Sequence, residues 1–230
     1  MRLDKNATRK FDTPAPVAAV LDVPAGHLRF IAADRTDTTV EILPANASKS
    51  RDVKAAEQTT VTYADGVLRI DAPPANNRLL GATGALEVTV QLPVGSRVEA
   101  KAASAELRGV GRLGDVVFEG AQGAVKLDEA ATVRLSLLAG DITVHRLNGP
   151  ADITTQKGDL RVTEAVSGSV TLRTEHGDIT VGAARGTSAT LDAGTAYGRI
   201  DNTLTNTDGP DAALTLHATT GYGDVTARSL

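Results

Sequence analysis

The first residues that could do chemistry are the aspartates of a repeated Gly-Asp phrase. Gly114-Asp115, Gly140-Asp141, Gly158-Asp159, Gly177-Asp178 and Gly223-Asp224 each precede an aliphatic residue, and Gly198-Arg199 puts a cation at the same place. Stacked in register, such carboxylates would form a column with a spacing of ~4.8 Å. Clustered carboxylates and carbonyls suit calcium. The competing reading is local, because an Asp after Gly accepts hydrogen bonds from nearby backbone N–H groups. The paired-glycine nonapeptide of calcium-binding repeats is absent. Turn capping at a water-facing corner is therefore expected for these ten residues, and no metal or other cofactor is expected.

Tyr197 and Tyr222 form the second group. Both precede a glycine in matching phrases, Ala196-Tyr197-Gly198-Arg199-Ile200 and Gly221-Tyr222-Gly223-Asp224-Val225. The interval 222−197=25 puts them on one corner of adjacent repeats, where they can stack. With Arg199 they form a candidate aromatic binding platform for a sugar or a protein. The alternative is a plug that closes the last repeat, since terminal repeats are modified for capping. The four histidines, His27, His145, His176 and His217, share no metal-ligand spacing, and no Gly-x-Ser-x-Gly elbow accompanies them. No catalytic residue is assigned. Glycan cleavage would need two converging carboxylates, and no acidic pair is singled out by spacing.

The elements that must position these residues are short strands. The Gly-Asp phrase recurs at intervals of 26, 18, 19, 21 and 25 residues between Gly114 and Gly223. A second phrase lies half a period away, as in Gly123-Ala124-Val125-Lys126-Leu127, Ala131-Thr132-Val133-Arg134-Leu135 and Gly168-Ser169-Val170-Thr171-Leu172. Both alternate apolar and polar residues over about five positions, the pattern of a half-buried strand. Two strands per period of about 20 residues define a solenoid, in which one rung buries its apolar side only by stacking on the next. The longest intervals are read as loop insertions.

Upstream, Val17–Val23, Leu28–Ala32, Thr38–Leu43 and Ala85–Leu92 read as longer strands. Thr59–Tyr63 and Val67–Asp71 flank Ala64-Asp65-Gly66, a hairpin turn. Residues 45–57 are the only weak helical segment and read as a polar loop. The fold class expected is all-β: a β-solenoid of ~20-residue rungs with an N-terminal antiparallel capping region. Residues 1–10 are expected to be disordered, 11–100 to form the capping β region, and 101–230 to form the repeats, with Gly221–Leu230 closing the far end.

Composition narrows the function classes. The chain has 230 residues, no Cys and no Trp, and a net charge of −4. Without Cys there is no disulfide scaffold, thiol catalysis or thiolate metal site. The acidic balance argues against nucleic acid. No stretch of ~18 apolar residues could cross a bilayer, and the polar N-terminus is unlike a signal peptide. The location expected is the cytoplasm, with no direct membrane insertion.

The strand ending in Gln91-Leu92-Pro93-Val94-Gly95-Ser96-Arg97-Val98 and the ladder of Gly-Asp-aliphatic phrases resemble the bacterial adhesin-like domains known as the Toastrack family. The resemblance runs from about Phe11 to Leu230, and the composition is similar to actinobacterial members. It implies a domain of unknown function used for contacts, with some relatives in envelope-stress systems. It carries no catalytic residues. The function expected is a non-catalytic interaction or structural module with an unidentified protein partner. The alternative is a carbohydrate-binding or carbohydrate-cleaving β-helix. Incomplete capping at either solenoid end would lead to weak self-association or strand addition.

Overall fold

The computed structural model describes residues 8–73 and 84–230. Alternation of apolar and polar residues produces seventeen strands there: β1 (Arg9–Asp12), β2 (Ala18–Ala33), β3 (Asp37–Pro44), β4 (Thr60–Ala64), β5 (Val67–Asp71), β6 (Leu86–Pro93), β7 (Arg97–Gln122), β8 (Val125–Ala139), β9 (Ile142–Leu147), β10 (Ala151–Lys157), β11 (Leu160–Ala165), β12 (Gly168–His176), β13 (Ile179–Ala183), β14 (Ala189–Tyr197), β15 (Ile200–Thr203), β16 (Leu214–Tyr222) and β17 (Val225–Ser229). A helix, α1 (Ser50–Gln58), and a short 3-10 turn at Gly209–Asp211 complete the described elements.

The strands coil into two parallel ladders whose apolar sides share one core. The first ladder runs through β6, the second half of β2, the middle of β7, the first half of β8, then β9, β11, β13, β17 and β15. The second runs through β5, the first half of β2, the start and then the end of β7, the remainder of β8, then β10, β12, β16 and β14. One inward column shows the principle. Val88, Leu28, Leu107, Val125, Ile142, Leu160, Ile179, Val225 and Ile200 are successive partners across nine strands. The first eight are at most 1% exposed, while Ile200 is 47% exposed. It belongs to the last strand, beyond which no further strand lies among the described residues.

Stacking does not follow chain order at either end. Near the N-terminus, β2 lies between β7 on one side and β5 and β6 on the other. Near the C-terminus, β16 lies between β12 and β14, and β17 between β13 and β15. The expectation that Gly221–Leu230 closes the far end is therefore corrected: the outermost rung is β14 and β15. The inward residues account for this order. β16 and β17 bring Leu214, Leu216, Ala218, Val225 and Ala227, all buried, whereas β15 offers Asn202 where its neighbour has Ala227. A polar inward residue costs least on the rung that keeps one side in water.

The N-terminal end is closed. β4 pairs antiparallel with β5, β3 pairs antiparallel with β6, and β1 pairs antiparallel with β3. The Phe11 and Tyr63 rings meet at 5.4 Å between β1 and β4, and the Arg9 guanidinium donates to the Val61 carbonyl at 2.9 Å. Arg9 and Lys10 thus belong to a strand, which corrects the expected disorder of 1–10 for these two residues. Residues 1–7 lie outside the described part. The hairpin turn stands as expected, with Asp65 at φ 50° and Gly66 at φ 77°, the left-handed pair of a tight two-residue turn.

The segment read as a polar loop contains α1, and tertiary contacts explain the difference. Asp52 is buried in its first turn and accepts the Ala85 N–H at 3.1 Å. A carboxylate there also complements the helix N-terminus. Ala55 is buried. The sequence alone shows too few apolar residues for such a helix, because its anchor is a carboxylate.

Candidate functional site

A wired corner runs up the stack. Asp141 Oδ1 accepts the Asp159 N–H at 2.9 Å, Asp159 Oδ1 that of Asp178 at 2.8 Å, and Asp178 Oδ1 that of Asp224 at 2.7 Å. Asp224 Oδ1 accepts the Arg199 N–H at 2.8 Å. Each carboxylate thereby binds the backbone of the next rung, offsetting part of the like-charge repulsion within the column. Water around the exposed corner screens the rest. At the last rung the Arg199 guanidinium donates to Asp224 Oδ2 at 2.9 Å. That pair holds the Asp224 carboxyl below, and the Arg199 guanidinium above, its ordinary pKa.

Glycine is needed at this corner. Gly140, Gly158, Gly177 and Gly223 have φ between 145° and 152°. A Cβ on Gly177 would lie 2.0 Å from the Gly158 carbonyl oxygen.

Gly114 and Asp115 do not join this corner, and their expected place in the turn column is corrected. They lie within β7. Asp115 is opposite Thr132, whose hydroxyl it accepts at 2.7 Å. Gly123 instead occupies the corner, donating its N–H to the Ala139 carbonyl. The interval of 26 residues is about one and a half rungs, so the two phrases trade places in the first repeat. It contains no loop insertion. The interval of 25 does, since residues 204–213 lie between β15 and β16.

Three further threonines complete the corner, and the sequence reading missed them. Thr174, Thr220 and Thr195 donate their hydroxyls to the carbonyls of Gly158, Gly177 and Gly223 at 3.1, 2.9 and 3.0 Å. The signal was available: each stands three residues before a corner glycine, as does Thr155.

Tyr197 and Tyr222 are brought together. Their rings stack at 4.8 Å with planes 4° apart, and His176 continues the ladder, 4.8 Å from Tyr222 with planes 12° apart. Position explains the third ring. His176, Tyr222 and Tyr197 each immediately precede a corner glycine and are register partners. Because the rings stack along the solenoid axis, His176 and Tyr197 are the two end rings: the outer face of His176 is towards Lys157 of the neighbouring rung, and that of Tyr197 is towards the last edge of the stack. Tyr197 is 67% and Tyr222 53% exposed, and the Arg199 side chain beside them is 89% exposed.

His217 Nδ1 is 3.4 Å from Asp192, and His27 Nδ1 is 3.3 Å from Glu106, both at the surface. Among the described residues no group of three or more His, Asp or Glu is placed to hold a metal ion. No helix among them is long and apolar enough to cross a membrane.

Two parallel ladders around one aliphatic core, turned by glycine corners, define a β-solenoid. The family model Toastrack DUF4097, a domain of unknown function, matches residues 88–229, and the chain belongs to that family. Among solved structures, the chain is similar to a candidate adhesin from Bacteroides fragilis, with 14% identity over 98% of each chain and a TM-score of 0.61. It is also similar to a candidate lipid-binding protein from Parabacteroides distasonis, with 12% identity over 97% of each chain and a TM-score of 0.50. At such identities the likeness concerns the fold. No curated protein matches the chain.

Proposed function

We propose that this chain is a non-catalytic interaction module that meets a protein partner at the C-terminal end of its stack. One observation carries the reading: the outermost rung has no further strand beyond it among the described residues, and it joins the outer face of Tyr197, the exposed Ile200 and Arg199 to two strand edges on which, among the described backbone groups, only the Ala189 N–H is taken, by the Thr205 carbonyl. Aromatic and Arg side chains are enriched where proteins bind, and an open strand edge binds extended segments through main-chain hydrogen bonds. Membership of a family with adhesin-like relatives of this fold supports the reading.

The test is affinity capture from the source organism's lysate with the wild-type chain and with Tyr197→Ala. A protein retained by the first and lost by the second supports the module. A saturable turnover activity, abolished by a single substitution elsewhere, overturns it. An envelope-stress setting is part of the proposal and is tested by the stress sensitivity of a deletion strain.

The aromatic ladder favours a second reading, carbohydrate binding. A tyrosine face with a neighbouring guanidinium can stack on a sugar ring while donating to its hydroxyls. Glycan-array binding lost in Tyr197→Ala would select this reading over the first.

A further inference from the structure

The two ends of the stack are closed differently, and the difference points to an occupant. At the N-terminal end each ladder is continued by antiparallel pairing, β4 on β5 in one, and β3 on β6 followed by β1 on β3 in the other. The Phe11–Tyr63 contact and the Arg9–Val61 hydrogen bond then join β1 to β4 across that end. At the C-terminal end β14 and β15 are the last strands, and among the described strands neither has a partner on its outer side. The inward column that is buried in every other rung ends in a half-exposed Ile200, and Leu191 and Ala193 beside it are only partly buried. Of the five exposed large hydrophobic residues among the described ones, Tyr197, Ile200 and Tyr222 belong to the two outermost rungs.

We propose that the missing partner is a second copy of this chain, docked end to end through β14 and β15. This proposal deepens the interaction reading by naming the partner of the same surface. Symmetry supplies the argument. A head-to-tail stack is disfavoured, because the last strands of the N-terminal end, β1 and β4, are drawn together across it by the Phe11–Tyr63 contact and the Arg9–Val61 hydrogen bond and do not continue the two separate ladder edges. Two C-terminal ends can meet only about a two-fold axis perpendicular to the solenoid, which makes the new strand pairs antiparallel. That is how the chain closes its own N-terminal end. One contact thus pairs the open edges of both ladders in both copies, covers Ile200, and leaves no end for further growth.

The size of the contact sets its strength. β14 has nine residues, so at ~3.3 Å each it spans ~30 Å, and the two ladders lie ~10 Å apart. The end section is on the order of 300 Å² before side-chain rims, well under the ~800 Å² per partner of a standard interface. The dimer is expected to be weak, with a dissociation constant on the order of 10 µM.

Sedimentation velocity tests this from ~1 to ~300 µM, a range that brackets the expected constant. The wild-type chain should pass from monomer to dimer and no further. Ile200→Glu should remain monomeric, whereas Leu138→Glu, somewhat more exposed and on another part of the surface, should dimerise like wild type. Ile200 is half-exposed, so unchanged thermal melts are expected and separate lost association from lost folding. Amide exchange in 189–203 should slow with rising concentration in the wild type only. A wild-type chain that stays monomeric throughout, one that forms open-ended polymers, or an Ile200→Glu variant that still dimerises would each overturn the inference. The capture experiment with Tyr197→Ala could still succeed on a monomeric chain, so the two ideas fail separately.

Discussion

The Arg199 guanidinium closes on Asp224 at 2.9 Å, at the one rung where the carboxylate column changes sign. Three lower aspartates bind only the backbone N–H of the rung above, whereas Asp224 also holds a cation. The pair lowers the Asp224 carboxyl below the usual range. A carboxyl depressed in the folded state adds stability above its unfolded pKa of ~3.9 and loses it as pH falls through the folded value. Arg199→Ala should therefore move the Asp224 titration upward, read by carboxyl NMR. An unmoved titration would show that the guanidinium does not bind there in solution.

Asp37 makes the same argument at the closed end. Arg35 donates to both its oxygens at 2.9 and 3.0 Å and Lys10 lies 3.1 Å away, which lowers the carboxyl to about 2. Its stabilising share should be present above pH ~4 and fall away towards pH 2. In Asp37→Asn the acid-unfolding curve should lose part of its slope in that window. Identical slopes for variant and wild type would contradict it.

Inward and outward positions should differ sharply within one strand. Ile179 is fully buried in the long aliphatic column, while the neighbouring Thr180 faces outward and is half-buried. Ile179→Asp should cost more than ~4 kcal/mol, since it buries an unpaired carboxylate. Thr180→Lys should stay within about 0.5 kcal/mol. Denaturant melts of the two variants check the assignment, and equal stabilities would refute it.

The glycine corner predicts a steric failure. Gly177→Ala places a Cβ 2.0 Å from the Gly158 oxygen at a φ of 152°. Strain of ~1–3 kcal/mol from the backbone alone is expected, with rung separation adding to it. Gly186→Ala, where no atom lies within 4 Å, is the control: φ is 78° there, so it tests backbone strain without the clash. Similar thermal melts for the two variants would argue against close rung contact.

The buried threonine ladder predicts a smaller effect. Thr174→Val keeps the shape but removes the donor to the Gly158 carbonyl. A loss of ~1–3 kcal/mol is expected for an acceptor left without its hydroxyl. Calorimetry would read it, and an unchanged melting temperature would mean water replaces the hydroxyl.

The solenoid, its glycine corners and the Tyr197–Tyr222 stack were legible in the chain because each depends on local alternation and a repeating interval. The Thr-x-x-Gly spacing and His176 at the residue before its corner glycine were equally local, and were passed over. The order of the rungs was not legible. β14 and β16 carry the same phrase, so nothing near either one says which lies against β12. That choice is made by the whole stack, which buries Leu216 and Val225 on both sides and leaves Asn202 and Ile200 at the water. The same holds for Asp115, half a rung out of phase, and for α1, anchored by a carboxylate to the Ala85 N–H 33 residues away. Sequence by itself determined what each rung is made of, because strand periodicity and corner geometry are local properties. Only tertiary structure decided which rung stands last, because that depends on comparing how much apolar surface each candidate would leave in water.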